Sequence, residues 1–172
     1  TQYNPIISQK LCTSTRTYYV LPLTDNKLFE HDTKHTHDLT LDFAEKCTRN
    51  CITLCNGNPQ LQAVQRAAEL LCSFISLELG DGKRAADMGK SVSSDLAAEK
   101  QQQFLGKIYS AQGHLMIGEC DEASKILSRL LIESDLKKEK DQQIRHSLTF
   151  ARVAIANGET QKADIQLQKA TE

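Results

Sequence analysis

The sequence predicts an all-α protein, a stacked array of helical hairpins, and three observations carry that prediction. The first is a short pattern of a glycine, an acidic residue, three variable residues and an alanine. It occurs at Gly80-Asp81 with Ala85, at Gly118-Glu119 with Ala123 and at Gly158-Glu159 with Ala163. The second is its spacing, 118 − 80 = 38 and 158 − 118 = 40 residues, a period that marks repeat arrays. The third is composition. Trp is absent and aromatic residues are only 5%, so the core must be built from Leu, Ile, Ala and Cys, which suits helix-on-helix packing. In each unit the glycine supplies the left-handed residue that ends a first helix. The acidic residue follows near the start of the second, where the helix dipole and free N–H groups favour it. The alanine lets the two helices approach closely.

Residues 1–37 carry no sustained period. Asn4-Pro5, Leu21-Pro22 and the polar run from Thr24 interrupt any long helix. This stretch reads as an irregular N-terminal arm, with Thr17 to Leu21 as a short extended segment. The helical-repeat domain is expected over 38–172. Asp38 is read as the N-cap of its first helix, with Leu39, Phe43, Cys47, Cys51 and Leu54 on the core face. Asn56-Gly57-Asn58-Pro59 stops it. A second helix is expected over about Leu61 to Leu79, with Val64, Ala67, Ala68, Leu71, Phe74, Ile75 and Leu77 as its apolar positions, and its partner over about Lys83 to Ser93. The next hairpin pairs about Leu96 to Ile117 with Asp121 to Ser134, and the last pairs about Gln142 to Ala156 with Thr160 to Thr171. Asp135 to Asp141 reads as a charged connection.

With 172 residues, 40% hydrophobic and 25% charged, the chain is ordinary for one soluble domain with a real core. The formal net charge is −1, so electrostatics make no case for binding nucleic acid or an anionic membrane. No apolar run approaches the roughly 20 residues that span a bilayer. The chain starts at Thr1 and is read as a piece of something longer. Six cysteines are present, yet Cys47, Cys51 and Cys55 recur at helical spacing, where i, i+4 pairs make poor disulfides. Cys72 lies beside Leu70 and Leu71. They read as small buried hydrophobes in a reducing compartment, the cytoplasm and also the nucleus.

This layout resembles the tetratricopeptide-repeat family. That family has a small residue seven positions before the turn glycine, where this chain has Ser73, Ala111 and Ala151, and an alanine five positions after it, as at Ala85, Ala123 and Ala163. The resemblance implies a right-handed superhelix of tetratricopeptide-like hairpins. The period here is longer than the family's, and its aromatic and proline positions are largely missing. Some members clamp a partner's C-terminal carboxylate with basic residues ten positions before the glycine; those positions hold Leu70, Ile108 and Leu148, so such a clamp is not expected.

Longer stretches are similar to one helical-repeat family, subunit ten of the Not deadenylase complex (CCR4-NOT), which shortens mRNA poly(A) tails. They are Thr40-Leu41-Asp42-Phe43-Ala44-Glu45-Lys46-Cys47-Thr48-Arg49-Asn50, Leu77-Glu78-Leu79-Gly80-Asp81 with Ala85 and Ala86, and Phe104-Leu105-Gly106-Lys107-Ile108-Tyr109-Ser110-Ala111. Their order and approximate spacing agree with the family from Thr40 to Ala170. The loop after Leu54 is short where the family often carries a polar insertion. The resemblance implies a non-catalytic adaptor without a cofactor. It would bind subunit eleven, and the pair would dock on the N-terminal part of the large Not scaffold. A tetratricopeptide adaptor of another eukaryotic complex, in cohesin loading or transport, is the alternative within the same class.

A third reading belongs to another class, a metal-binding or redox protein. His31, His35 and His37 have Asp32 and Asp38 nearby, and histidine is the commonest metal ligand. Nothing apolar surrounds the cluster in sequence, so a solvated segment is the plainer reading. Cys47, Cys51 and Cys55 are three thiols on one helix, which seldom serve one tetrahedral ion. No nucleophile elbow, phosphate loop or dinucleotide fingerprint is present, and no carboxylate pair suggests acid–base work. No catalytic residue is expected.

Overall fold

The computed structural model describes residues 33–133 and 139–171, with side chains over 40–130 and 139–171. The chain divides into residues Thr1–His35 and a second unit, Thr36–Glu172. The expected extended segment and His31 lie outside the described residues. Among the described residues the protein is all-helical: α1 (Thr33–Cys55), a 3-10 turn (Pro59–Leu61), α2 (Gln62–Glu78), α3 (Gly82–Ser94), α4 (Lys100–Met116), α5 (Cys120–Glu133), α6 (Lys140–Ala156) and α7 (Thr160–Thr171). None of these helices is long and apolar enough to cross a membrane.

The tripled sequence pattern closes three hairpins with the same hydrogen bonds. Gly80, Gly118 and Gly158 have φ of 82°, 82° and 74°, a region only glycine enters cheaply. The N–H of each following acidic residue donates five residues back, Asp81 to Ser76, Glu119 to His114 and Glu159 to Ala154, each at 2.8 Å. This is the wide closure of a glycine-terminated helix. The second helix then begins with Ala85, Ala123 and Ala163 donating to the carbonyls of Asp81, Glu119 and Glu159. Asp81 also caps its helix, its Oδ1 accepting from the Arg84 N–H at 3.1 Å.

Small residues meet across each hairpin. Ser73, Ala111, Ala85 and Ala123 are fully buried, and Ala151 and Ala163 nearly so. In the α2–α3 hairpin the Ser73 hydroxyl donates to the Ala85 carbonyl at 2.7 Å, so this buried hydroxyl is satisfied. The main apolar core joins Phe104, Ile108 and Ala111 of α4 to Ala123, Leu127 and Leu130 of α5, with Val153 of α6 closing it. A second cluster holds Leu70, Val92 and Ala98. The last hairpin is held by Ala151, Ala154 and Ala163. Hairpins also stack on their neighbours: α4 touches α2 and α3, and α6 touches α4 and α5. Polar bonds tie the helices further, Arg66 to Asp95 at 2.9 Å and Ser91 to the buried Glu69 at 3.0 Å.

The α3–α4 contact rests on four glycines inside helices. A Cβ on Gly89 would lie 2.5 Å from the Gly106 carbonyl, and one on Gly106 would lie 2.6 Å from the Gly89 carbonyl. One turn-pair away, a Cβ on Gly113 would sit 2.4 Å from the Gly82 carbonyl. Gly82 and Gly89, like Gly106 and Gly113, are seven residues apart, so they lie on one face of each helix. The two backbones therefore touch directly, which no other residue type permits.

Helix α1 departs from the sequence reading in two ways. It starts at Thr33, so Asp38 lies inside the helix rather than at its N-cap, and residues 33–37 are helical rather than part of an irregular arm. Its inward face is also rotated by about one residue. Thr48 and Cys55 are buried, whereas Phe43 is 64% and Leu54 79% exposed, and Cys47 is exposed too. The physical reason lies in two polar residues. The Thr48 hydroxyl bonds back to the Ala44 and Glu45 carbonyls at 3.1 and 2.9 Å, which lets it be buried. Glu45 accepts from Arg49 and from Arg84 of α3, fixing that side of α1 toward the hairpin.

His146 on α6 is 2% exposed, and its Nε2–H donates to the Leu127 carbonyl at 2.9 Å. Its ring lies 5.9 Å from that of Phe150. Burial pushes its pKa below the ordinary histidine value; the Leu127 bond opposes this and Lys169 adds to it. The unfolded chain therefore takes up a proton at a pH where the folded chain does not. Stability should be full above about pH 6.5 and fall as the pH drops below it, by up to about 1.4 kcal/mol per pH unit. Thermal melts at pH 8 and pH 5.5 check this: the loss should shrink in His146→Gln, and an unchanged loss would refute the role of this ring.

Candidate functional site

Helices α3, α4 and α5 together line a surface groove. Gly89 and Gly106 let α3 and α4 meet backbone to backbone, and the groove, of about 490 Å³, is lined by their chain neighbours Lys90 and Lys107 among others. Three helical stripes line it. Lys90, Ser93 and Ser94 come from α3, and Lys107, Ser110 and His114 from α4. Glu122, Ile126 and Arg129 come from α5. The i, i+3, i+4 and i+7 spacings place each set on one face.

The groove carries charged side chains of both signs. Its charged groups come from Lys90, Lys107, Arg129 and Glu122, and the Glu122 carboxylate is 3.2 Å from Lys125. His114 donates from Nδ1 to Glu119 at 2.7 Å. The floor is set by Ser110, which is 2% exposed. The lining thus offers charged groups, the serine hydroxyls and the His114–Glu119 pair.

A wider depression of about 560 Å³ lies over the turns, lined by Glu119, Cys120, Asp121, Lys125 and Asn157. Its acidic residues lie at the start of α5, where they serve the helix. Among the described residues no group of three His, Cys, Asp or Glu side chains is placed to hold a metal ion. His35 and His37 fall in α1, but their side chains lie outside the described set. Cys47, Cys51 and Cys55 are not disulfide-bonded and differ in exposure, from exposed to buried, so they form no common inward stripe. Cys72 is buried, and burial pushes its thiol up from the usual range, which disfavours the reactive thiolate.

The repeat-defining residues form scaffold rather than surface: Ala85, Ala111, Ala123, Ala151 and Ala163 are buried, and Gly80, Gly118 and Gly158 are the turns. Leu70 and Ile108, two of the three clamp positions, are buried in the core. The groove was missed in sequence because its residues come from three helices. A usable signal existed in the seven-residue spacing of the interior glycines. The sequence matches no family model, and no curated protein or solved structure matches it either.

Proposed function

We propose that this chain is a non-catalytic adaptor, a right-handed superhelix of tetratricopeptide-like hairpins that joins other proteins. The observation that carries the reading is the apolar row left open on the last hairpin. Ile144, Leu148 and Ile155 of α6 are 38%, 44% and 59% exposed, and Ile165 and Leu167 of α7 are exposed as well. Ile144, Leu148 and Ile155 follow helical spacing with the buried Ala151 among them, so they form a stripe rather than scattered residues. Exposed apolar side chains grouped on one hairpin favour contacts with other chains, and hairpins in an array bury such faces on neighbours.

The partners proposed are those implied by the resemblance: subunit eleven and the large scaffold subunit of the Not complex, in the cytoplasm and also the nucleus. The similarity over Thr40–Asn50, Leu77–Ala86 and Phe104–Ala111 supports this choice. The chain then has no deadenylase, nuclease or hydrolase activity of its own and needs no cofactor. Affinity purification with mass spectrometry should recover both subunits, and Leu148→Glu with Ile155→Glu should abolish recovery without loss of helicity. Recovery of a different complex would replace the Not assignment by the general adaptor. A folded chain that recovers no protein would refute the adaptor reading itself.

A further inference from the structure

We propose that Asn56 is a site of spontaneous covalent modification, where the Gly57 nitrogen displaces the side-chain amide nitrogen and leaves aspartate or isoaspartate at the end of α1. The proposal is independent of what the chain binds.

The chemistry needs an asparagine followed by an unhindered backbone nitrogen. The Gly57 nitrogen attacks Cγ of Asn56 and forms a cyclic imide. The Cγ–Nδ2 bond breaks, and Nδ2 leaves as ammonia, taking up through water the proton that the glycine amide lost. Water then adds to one imide carbonyl. Breaking the ring bond at Cγ gives aspartate. Breaking the ring bond at the main-chain carbonyl gives isoaspartate, whose main chain runs through Cγ. A Cβ on the following residue would crowd this approach, so glycine is the permissive neighbour.

The sequence contains two such pairs, Asn56-Gly57 and Asn157-Gly158, and the structure separates them. Both asparagines are exposed. Both glycines are left-handed, with φ of 78° and 74°. Neither exposure nor glycine conformation therefore distinguishes the two pairs, but their hydrogen bonds do. The Gly158 N–H donates to the Ile155 carbonyl at 2.9 Å, and the Glu159 N–H to the Ala154 carbonyl at 2.8 Å. Asn157 is held there at ψ −1°, which keeps the Gly158 nitrogen away from Cβ. To react, ψ must turn and this double closure must open. At the end of α1 the closure is smaller. The Asn58 N–H donates only three residues back, to the Cys55 carbonyl at 3.1 Å, and the Gly57 N–H has no acceptor among the described residues. The Asn56 side-chain amide is likewise unbonded among the described residues. The attacking nitrogen is thus released at Asn56 and held at Asn157. The remaining two turn glycines, Gly80 and Gly118, follow Leu79 and Ile117 and have no carboxamide to attack.

Position gives the change a structural effect. Either product adds a carboxylate at the C-terminal end of α1, where unpaired carbonyls disfavour negative charge. Isoaspartate also lengthens the main chain in a short connection. Asn58 caps the 3-10 turn directly after it, its Oδ1 accepting from the Gln60 N–H at 3.0 Å, and α2 begins at Gln62. The modification therefore loosens the last turn of α1, residues 52–55.

Incubation of the full chain at pH 8 and 37 °C, followed by trypsin digestion and mass spectrometry, tests the proposal. The peptide from Asn50 to Arg66 should gain the mass of one deamidation, with isoaspartate placed at position 56 by fragmentation. The peptide from Val153 to Lys162 should change about fivefold or more slowly, the population cost of opening a hydrogen bond of ordinary strength. In denaturant the two rates should converge, since the local sequences are then equivalent. Asn56→Gln should remove the mass gain from the first peptide. Amide hydrogen exchange of the modified chain should be faster over residues 52–55 and unchanged in α4 and α5. Absence of isoaspartate at position 56, a mass gain confined to Asn50 or Asn58, equal rates for the two peptides in the native chain, or a difference that persists in denaturant would overturn the proposal. Unchanged exchange at the end of α1 would overturn its structural effect.

Discussion

Replacing Gly89 and Gly113 together with alanine should destabilise the protein by about 2–6 kcal/mol, against the trend that helix propensity sets. Alanine is better than glycine inside a helix by about 1 kcal/mol, so an exposed site would gain. Here each new Cβ meets backbone, the Gly106 carbonyl at 2.5 Å and the Ser110 N–H at 2.8 Å for Gly89, and the Gly82 carbonyl at 2.4 Å and the Ala86 N–H at 2.6 Å for Gly113. Backbone cannot rotate aside as a side chain can, so α3 and α4 must separate. Overpacking of this kind costs about 1–3 kcal/mol per site, and the two contacts lie about 10 Å apart along the helices, far enough to add approximately. For a chain of this size that corresponds to roughly 5–20 °C in Tm. The control is alanine at Lys83, an exposed position on α3, which should leave stability within about 0.5 kcal/mol. A double glycine variant as stable as the parent would refute direct backbone contact between α3 and α4.

Leu127→Ala should cost about 2–5 kcal/mol, the range for emptying a buried leucine site. Leu127 is fully buried in the cluster with Phe104, Ile108, Ala111, Leu130 and Val153. These residues come from three helices, so no single helix can shift to fill the space. The substitution keeps the Leu127 carbonyl, which holds His146, and the loss therefore reports the side chain alone. Leu96→Ala is the comparison: Leu96 is 96% exposed, and its truncation should change stability by no more than about 0.5 kcal/mol. Denaturant titrations of both variants check the pair. Equal midpoints would show that the α4–α5–α6 cluster is not the core.

The same contrast shows which parts of the fold were legible in the sequence. Glycine with positive φ, a following carboxylate and a buried alanine are local devices. The turns at Gly80, Gly118 and Gly158 could therefore be read from neighbours in the chain, and helices α2 to α7 were placed to within a few residues. The orientation of α1 could not be read that way. Phe43 and Leu54 are the apolar choice by periodicity, yet the structure turns Thr48 and Glu45 inward, because the Thr48 hydroxyl satisfies itself on its own helix and Glu45 meets Arg84 from another. A periodicity argument weighs hydrophobicity and does not see a partner 39 residues away.

The sequence by itself determined the helical class, the hairpin turns and the small residues that let each hairpin close, since these follow from local backbone and side-chain preferences. Only the tertiary structure decided how successive hairpins meet. Gly82, Gly89, Gly106 and Gly113 read singly as weak points in helices, and their value exists only when α3 and α4 are brought together. The groove lining is decided at the same level. Lys90, Lys107 and Arg129 lie far apart along the chain, and they line one groove only because α3, α4 and α5 pack together.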